Sequence, residues 1–285
     1  MPVLVREARA DDTPACGRIC YDAFAAIAGA HHFVPDLPNV DVATGLIRGL
    51  IGVPGIYGVV AEEDGRVLGS NFLHEQDAVA GVGPITIDPA TQNRGVGAAL
   101  MRAVLDRAAA NGAASVRLVQ AGYHCRSLSL YAKLGFDVRE HLSCFQGPAI
   151  GRALEGYCVR AAVEADLTAC NALCLRVHGA HRGGGLRKAI GQGSARVVER
   201  DGRITGYATA IAFFGHAVGE TTDDMKALIA TADAFGGPGF LVPSRNGELV
   251  RWCLANGLRI TQPMTLMSMG LYGDPSGAWL PSVLY

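Results

Sequence analysis

The sequence predicts an α/β protein of two domains, each a mixed, mostly antiparallel sheet flanked by helices, and three observations carry that expectation. The first is length: 285 residues, at about 100 to 200 residues per domain, suit two cores better than one. The second is an internal repeat. "VREARADDTPACGRIC" from Val5 aligns with "VRAAVEADLTACNALC" from Val159, pairing Arg6 with Arg160, Asp12 with Asp166, Cys16 with Cys170 and Cys20 with Cys174. Further on, "VVAEEDGRVLG" from Val59 resembles "VVERDGRITG" from Val197, and "LGFDV" from Leu134 has a counterpart in "NGLRI" from Asn256. The third observation is element order: strands alternate with helices only in the later part of the repeat, so its sheet should be antiparallel first and parallel in the middle.

Each element of the first repeat has a local cause. Val3 to Ala8 reads as a strand, and Asp11 or Asp12 caps a helix with Pro14 in its first turn. A second helix covers about Val40 to Leu50. A hairpin spans Gly58 to Glu75, turned at Asp64-Gly65. Strand Gly83 to Ile87 follows, with Pro89 ending it because proline cannot donate to a ladder. From Gly95 a helix carries Val96, Leu100, Met101, Val104, Leu105 and Ala108 as one apolar stripe. Strand Ser115 to Gln120, helix Arg126 to Lys133 and strand Phe136 to Phe145 complete the unit. The join falls near Gln146 to Tyr157, giving domains 1–150 and 151–285.

Hydrophobic residues make up 49% and charged residues 18% of the chain, with a formal net charge of -1. This composition excludes a disordered chain and a strongly basic nucleic-acid binder. The start "MPVLVREARADD" lacks the apolar core of a signal peptide, and no apolar run reaches the roughly 18 residues of a membrane span, so a soluble cytoplasmic protein is expected. The eight cysteines form no C-x-x-C pair, and Cys16/Cys20 and Cys170/Cys174 stand at helical spacing. They are expected as small core residues, with no metal site.

The stretch "ITIDPATQNRGVGAAL", Ile85 to Leu100, runs from strand through a glycine pair into a helix. Gly95 and Gly97 place no side chain over the helix start, so backbone N–H groups there can face an anion with the helix dipole behind them. A G-x-x-x-x-G-K-[ST] phosphate loop is absent, and the third glycine of the dinucleotide fingerprint is missing. Instead "QNRGVGA", Gln92 to Ala98, fits Q/R-x-x-G-x-G/A, and "SLSLYAKLGF", Ser127 to Phe136, is an aromatic-centred helix ending in Gly-Phe. With these two motifs, roughly residues 3 to 147 resemble the GNAT superfamily of N-acyltransferases.

The resemblance implies a sheet whose central parallel strands splay to admit acetyl-CoA or a related acyl-CoA, with backbone near Ile85, Thr86 and Ile87 pairing with the pantetheine amides. A main-chain N–H there would polarise the thioester carbonyl. Gln92, Asn93, Arg94, Gly95, Val96, Gly97 and Ala98 would form the pyrophosphate loop. His124 and Ser127 would also face the cofactor, although His124 stands where the family often has asparagine. Tyr131 occupies the place of the proton donor for the departing thiolate. Glu75, at the end of the hairpin's second strand, is the candidate base, with His74, Asp77 and a water chain as rivals. The segment Ala30 to Asp41 lies where the acceptor pocket forms, so His31, His32, Phe33 and Asp36 are candidates for binding the amine.

The second repeat departs from this pattern. Its "FFGHAVGETTDDMKALI" has no glycine pair and places Glu220, Asp223 and Asp224 at a helix start capped by Thr221 or Thr222, while Cys253 falls opposite Tyr131. It is therefore expected to be a degenerate copy that closes the acceptor cleft or stabilises the first. "HRGGGLRK" is expected as a flexible link between helices, and the tail "GDPSGAWLPSVLY" as packing across a surface. The expected function is transfer of an acetyl or other short acyl group to an amine of a small molecule or peptide, without nucleic acid or membrane and with oligomerisation left open. The alternative is a non-catalytic acyl-CoA-binding regulator whose second domain is an interaction module.

Overall fold

A computed structural model describes residues 3–284. They divide into two compact units. The first holds the described residues up to Leu118, His124 to Phe136, and Leu284; the second holds Val119 to Tyr123 and Asp137 to Val283.

The first repeat begins with strand β1 (Leu4–Glu7), a 3-10 turn over Ala10–Asp12, and helices α1 (Thr13–Ala30) and α2 (Val40–Arg48). Asp12 does not cap α1 with its side chain. Instead it accepts from the Arg9 N–H at 2.7 Å and from both terminal nitrogens of Arg6 at 2.8 and 2.9 Å, while Glu62 accepts from Arg6 Nε and Nη2 at 2.9 and 2.7 Å. One guanidinium thereby ties β1 to the turn and to the next strand.

Strands β2 (Ile56–Glu63) and β3 (Arg66–His74) form the expected hairpin, with Asp64 and Gly65 both left-handed at the turn. Of the strand expected at Gly83 to Ile87 only β5 (Thr86–Ile87) forms, and a separate strand not read from the sequence, β4 (Val79–Val82), precedes it across Gly83-Pro84. Proline has no N–H to continue the ladder, so the break falls there. Helix α3 (Val96–Ala110), strand β6 (Ser115–Ala121), helix α4 (Cys125–Lys133) and strand β7 (Asp137–Gln146) follow as read from the sequence. β1, β2 and β3 pair antiparallel, β3 pairs with β4, and β4 pairs with β6 in parallel, which is the mixed sheet expected. Cys16, Cys20, Ala43, Ile47, Val60 and Phe72 pack α1 and α2 onto one face of the hairpin, while Leu100, Met101 and Val104 of α3 are also fully buried.

The second repeat gives the same order: β8 (Cys158–Ala161), a 3-10 turn, α5 (Leu167–His178), α6 (Gly183–Gly191), β9 (Arg196–Arg200), β10 (Arg203–Ala208), β11 (Ala217–Gly219), α7 (Thr222–Ala230), β12 (Phe240–Pro243), α8 (Gly247–Ala255) and β13 (Arg259–Gly270). Its Arg160 reproduces the clamp, meeting Asp166 at 2.7 and 2.9 Å and Glu199 at 3.0 and 2.6 Å. Two local expectations need correction. The glycines of "HRGGGLRK" begin α6 and are not a flexible link, because Leu186 and Ala189 bury one face of that turn. The tail is not loose surface packing but adds strand β14 (Ala278–Leu280) to the edge of β11, with Trp279 buried.

Within the second unit, β7 lies between β13 and β12 and pairs antiparallel with both. The last strand of the first repeat is thus a central strand of the second unit. The join read from the repeat lies further on, between β7 and β8.

Candidate active site

The central strands set the geometry. β4 pairs with β6 at Val79 to Gly81, opposite Ser115 to Arg117. Beyond Gly83-Pro84, β5 pairs among the described residues with β3 alone, through Gly69 opposite Ile87 and Ser70 opposite Thr86. The parallel pair therefore comes apart, and β5 keeps an edge without a ladder. Gly69 permits this: a Cβ there would lie 2.4 Å from the Thr86 carbonyl oxygen, so any side chain would push β5 off β3. The Thr86 hydroxyl is buried without a hydrogen-bond partner.

After β5 the chain turns through a 3-10 segment, Pro89–Thr91, capped by Asp88, which accepts from the Ala90 N–H at 2.9 Å. Asn93 and Gly95 are both left-handed, with φ of 68° and 82°. The chain thus curls tightly into α3, a conformation glycine adopts without cost and asparagine more readily than most. At the start of the helix the Ala99 N–H donates to the Gly95 carbonyl at 3.0 Å. The N–H groups of Val96, Gly97 and Ala98 precede it and lack intrahelical acceptors. No acidic residue stands in this first turn, and Gly95 contributes no side-chain cap. The helix start therefore has the donors and the positive dipole end that an anion requires.

The remaining loop side chains are engaged with protein groups. Gln92 accepts from Arg126 of α4 at 2.5 Å, and Arg126 also reaches Asn93 at 3.5 Å. Arg94 lies on Glu63 at 2.7 and 3.1 Å and holds that carboxyl below its ordinary range. Arg126 was not singled out from the sequence. A cation in the first turn of a helix, where the dipole disfavours it, was the available signal.

His124 stands immediately before α4, and its side chain makes no cap bond. Its Nε2 is buried without a hydrogen-bond partner. Burial pushes its proton affinity down to about 4, with Arg126 and then His31 adding to the effect, so the ring is neutral near pH 7. Ser127 donates to the His124 carbonyl at 2.8 Å. Tyr131, on the same helix, is buried and meets Phe136 edge-on with ring centres 6.2 Å apart. Burial raises its pKa, so the hydroxyl keeps its proton through the neutral range.

Glu75 lies apart from the loop. It accepts from Arg107 at 3.0 and 2.7 Å and from Asn111 at 2.6 Å, at the C-terminal end of α3, whereas the loop is at the N-terminal end. The Arg107 hydrogen bonds hold its carboxyl below the usual range, with Asn111 assisting. The group is ionised and already occupied by donors, which makes it a weak acceptor for a further proton. His74 directs Nε2 to the Gly83 carbonyl at 3.0 Å, beside the strand break. In the acceptor segment, His31 closes α1 and His32 is left-handed; both are exposed, while Phe33 and Asp36 are half-buried. His31 is the member of this group that acts electrostatically on His124.

At the equivalent place in the second unit, Thr221 caps α7 and Asp224 is fully buried at the helix start. The Asp224 carboxylate accepts from the Thr205 hydroxyl at 2.5 Å and from the Thr221 N–H and hydroxyl at 2.8 and 2.7 Å. The protein's own carboxylate thus stands where an anion would have to approach. In α8 the residue matching Tyr131 is Cys253, buried and with its thiol pushed up to about 12. The residue matching His124 is Asn246, which caps α8 by accepting from the Leu249 N–H at 3.1 Å.

Among the described residues, no helix is long and apolar enough to cross a membrane, and no group of three or more His, Cys, Asp or Glu is arranged to hold a metal ion. Residues 30–136 match the model of the acetyltransferase (GNAT) family. Comparison with curated proteins gives no match. Among solved structures, an acetyltransferase candidate from Pyrococcus horikoshii is similar over 99% of this chain and 92% of its own, with a TM-score of 0.73 at 15% identity. A GCN5-related N-acetyltransferase from Sphaerobacter thermophilus is similar over 97% and 98%, with a TM-score of 0.62 at 16% identity. A tandem GNAT protein from the clavulanic acid biosynthesis pathway is similar over 94% and 98%, with a TM-score of 0.56 at 13% identity. At these identities the likeness is one of fold, and it extends over both repeats. The chain is a tandem GNAT-fold protein, and its first repeat, over residues 30–136, carries the match to the acetyltransferase (GNAT) family.

Proposed function

We propose that the first repeat moves an acetyl or other short acyl group from acyl-CoA to an amine of a small molecule or peptide. The observation that supports this best is a juxtaposition. An acid-free helix start with left-handed Asn93 and Gly95 directly follows a strand, β5, whose outer edge carries no ladder. Such a loop suits a diphosphate and such an edge suits amide groups, which are the two polar parts of CoA. The residues fit that ligand in a further respect: the Thr86 hydroxyl on that strand is a buried polar atom without a partner, and buried polar groups are ordinarily satisfied.

In this reading the backbone of Gln92 to Ala98 binds the diphosphate, with Arg126 fixing the loop through Gln92 and Asn93. Ile85, Thr86 and Ile87 offer the strand edge, and a main-chain N–H there polarises the acyl carbonyl. Bound acyl-CoA supplies the activated acyl group and a thiolate leaving group. Tyr131 holds a proton at its hydroxyl for that thiolate, and burial keeps it protonated until needed. His31, His32, Phe33 and Asp36 form the acceptor side. The second repeat lacks both the loop and the tyrosine and serves as a non-catalytic copy.

The test is calorimetric titration with CoA, followed by release of CoA from acetyl-CoA across a panel of amino acids, polyamines, aminoglycosides and peptides. Binding at one site with turnover of at least one amine is expected. No CoA binding would overturn the reading, and binding without any turnover would favour an acyl-CoA-sensing regulator.

A further inference from the structure

Acyl transfer to an amine requires a group that accepts the proton of the attacking nitrogen, and the first repeat contains a side chain suited to that role other than Glu75. We propose that His124 is the catalytic base of the first repeat, receiving at Nε2 the proton of the acceptor amine; this rests on the acyl-transfer function proposed above.

Three observations carry the inference. Glu75 has its two carboxylate oxygens committed to three donors, from Arg107 and Asn111, at the far end of α3. His124 has no such commitment: its Nε2 is buried and makes no hydrogen bond, and its ring does not cap α4. The second repeat supplies an internal comparison, because the matching Asn246 does cap α8. A histidine that has given up the capping role is free for another.

Position agrees with this role. Arg126, two residues on, binds Gln92 and Asn93 of the phosphate loop, so the start of α4 adjoins the donor side. His31, in the segment proposed above as the acceptor side, interacts electrostatically with the His124 ring. The charged and titratable groups that act on it are Arg126 and His31.

The amine nitrogen uses its lone pair to form the new C–N bond while the C–S bond breaks and its electron pair leaves with sulfur. One nitrogen-bound proton passes to Nε2, and the Tyr131 hydroxyl proton passes to the thiolate. Nε2 is a weak base, but nitrogen whose lone pair is engaged in the new bond is strongly acidic, so a neutral imidazole in contact with it is sufficient. A neutral ring also needs no prior loss of a proton near pH 7.

The experiment uses the full chain and the amine that the wild-type protein acetylates fastest in the panel above. His124→Asn, which copies Asn246, and His124→Ala are compared with wild type for CoA affinity by calorimetry and for kcat between pH 6 and 9. A fall in kcat of about 100-fold or more, within the span usual for general bases, with CoA affinity within threefold of wild type, is expected for both variants. In CoA-saturated protein with histidine labelled by nitrogen-15, adding the amine should shift the His124 Nε2 resonance. Unchanged kcat, a loss of kcat matched by equal loss of CoA affinity, or an Nε2 signal indifferent to the amine would each overturn the assignment. Failure of wild type to bind CoA or to acetylate any amine would instead overturn the function on which it rests.

Discussion

Gly97→Asp separates the two things that a helix start can do, since it should strengthen the helix while weakening the site. Gly97 is the second residue of α3 and is not left-handed, so a side chain is conformationally acceptable. A Cβ there would lie 3.3 Å from Ile87 Cδ1 and 3.4 Å from Leu130 Cδ2, both the far ends of flexible side chains that can give by a few tenths of an ångström. Replacing glycine in a helix gains roughly 0.5 to 1 kcal/mol, and a carboxylate in the first turn adds about 0.3 to 1 kcal/mol through the dipole. Thermal stability should therefore hold or rise. The same carboxylate cancels the positive potential offered to a diphosphate and competes for a charge-assisted hydrogen bond worth about 1.5 to 3 kcal/mol. CoA affinity should fall by about 10- to 100-fold, since each factor of ten is about 1.4 kcal/mol. Calorimetric titration of wild type, Gly97→Ala and Gly97→Asp, with thermal melts of each, makes the measurement, and Gly97→Ala should bind within about threefold of wild type. A Gly97→Asp protein that melts normally and binds CoA as tightly as wild type would refute the phosphate-loop reasoning.

Other expectations follow from the same geometry. Tyr131→Phe retains the buried ring and deletes its hydroxyl, so kcat should fall by about 100-fold with little change in CoA affinity; full kcat would reject the donor role. Titration should give one CoA per chain, because Asp224 occupies the matching helix start in the second repeat, and two sites of similar affinity would contradict that view. Asp12→Asn and Asp166→Asn should each cost about 2 kcal/mol at pH 7, the scale of hydrogen bonds to charged groups. Both carboxyls are held below the ordinary aspartate range, chiefly by hydrogen bonds from Arg6 and Arg160. Their contribution is thus complete above the unfolded pKa of about 4 and is lost as pH falls through the lower folded value. Denaturant midpoints at pH 7 and at pH 3 should accordingly show the wild-type advantage shrinking in acid; an advantage that grows in acid would contradict the pairing.

Much of this arrangement is legible in the chain because its causes are local. The apolar stripe from Val96 to Ala108 specifies α3, Asp64-Gly65 specifies the hairpin turn, and Gln92 to Ala98 announces the loop. The paired Arg6/Asp12 and Arg160/Asp166 signals mark two copies of one clamp, and the structure shows both. What the sequence leaves open depends on partners far along the chain. Glu75 reads as an available carboxylate until Arg107 and Asn111 are brought onto it from one face of α3. At His124 the sequence shows only a substitution in the motif, and that its Nε2 is buried without a hydrogen-bond partner emerges from the folded chain. The pairing of β5 with β3 turns on the close approach of Gly69 to Thr86, a tertiary contact that no periodicity encodes.

The position of β7 bears on why a copy without phosphate loop or tyrosine persists. Both hydrogen-bonded neighbours of that strand, β12 and β13, are encoded by the second repeat. Deleting that repeat would leave a ten-residue strand with two bare edges, a template for aggregation. Loss of residues 151–285 would therefore strip the last strand of the first repeat of both its partners, whatever chemistry the second repeat has or lacks.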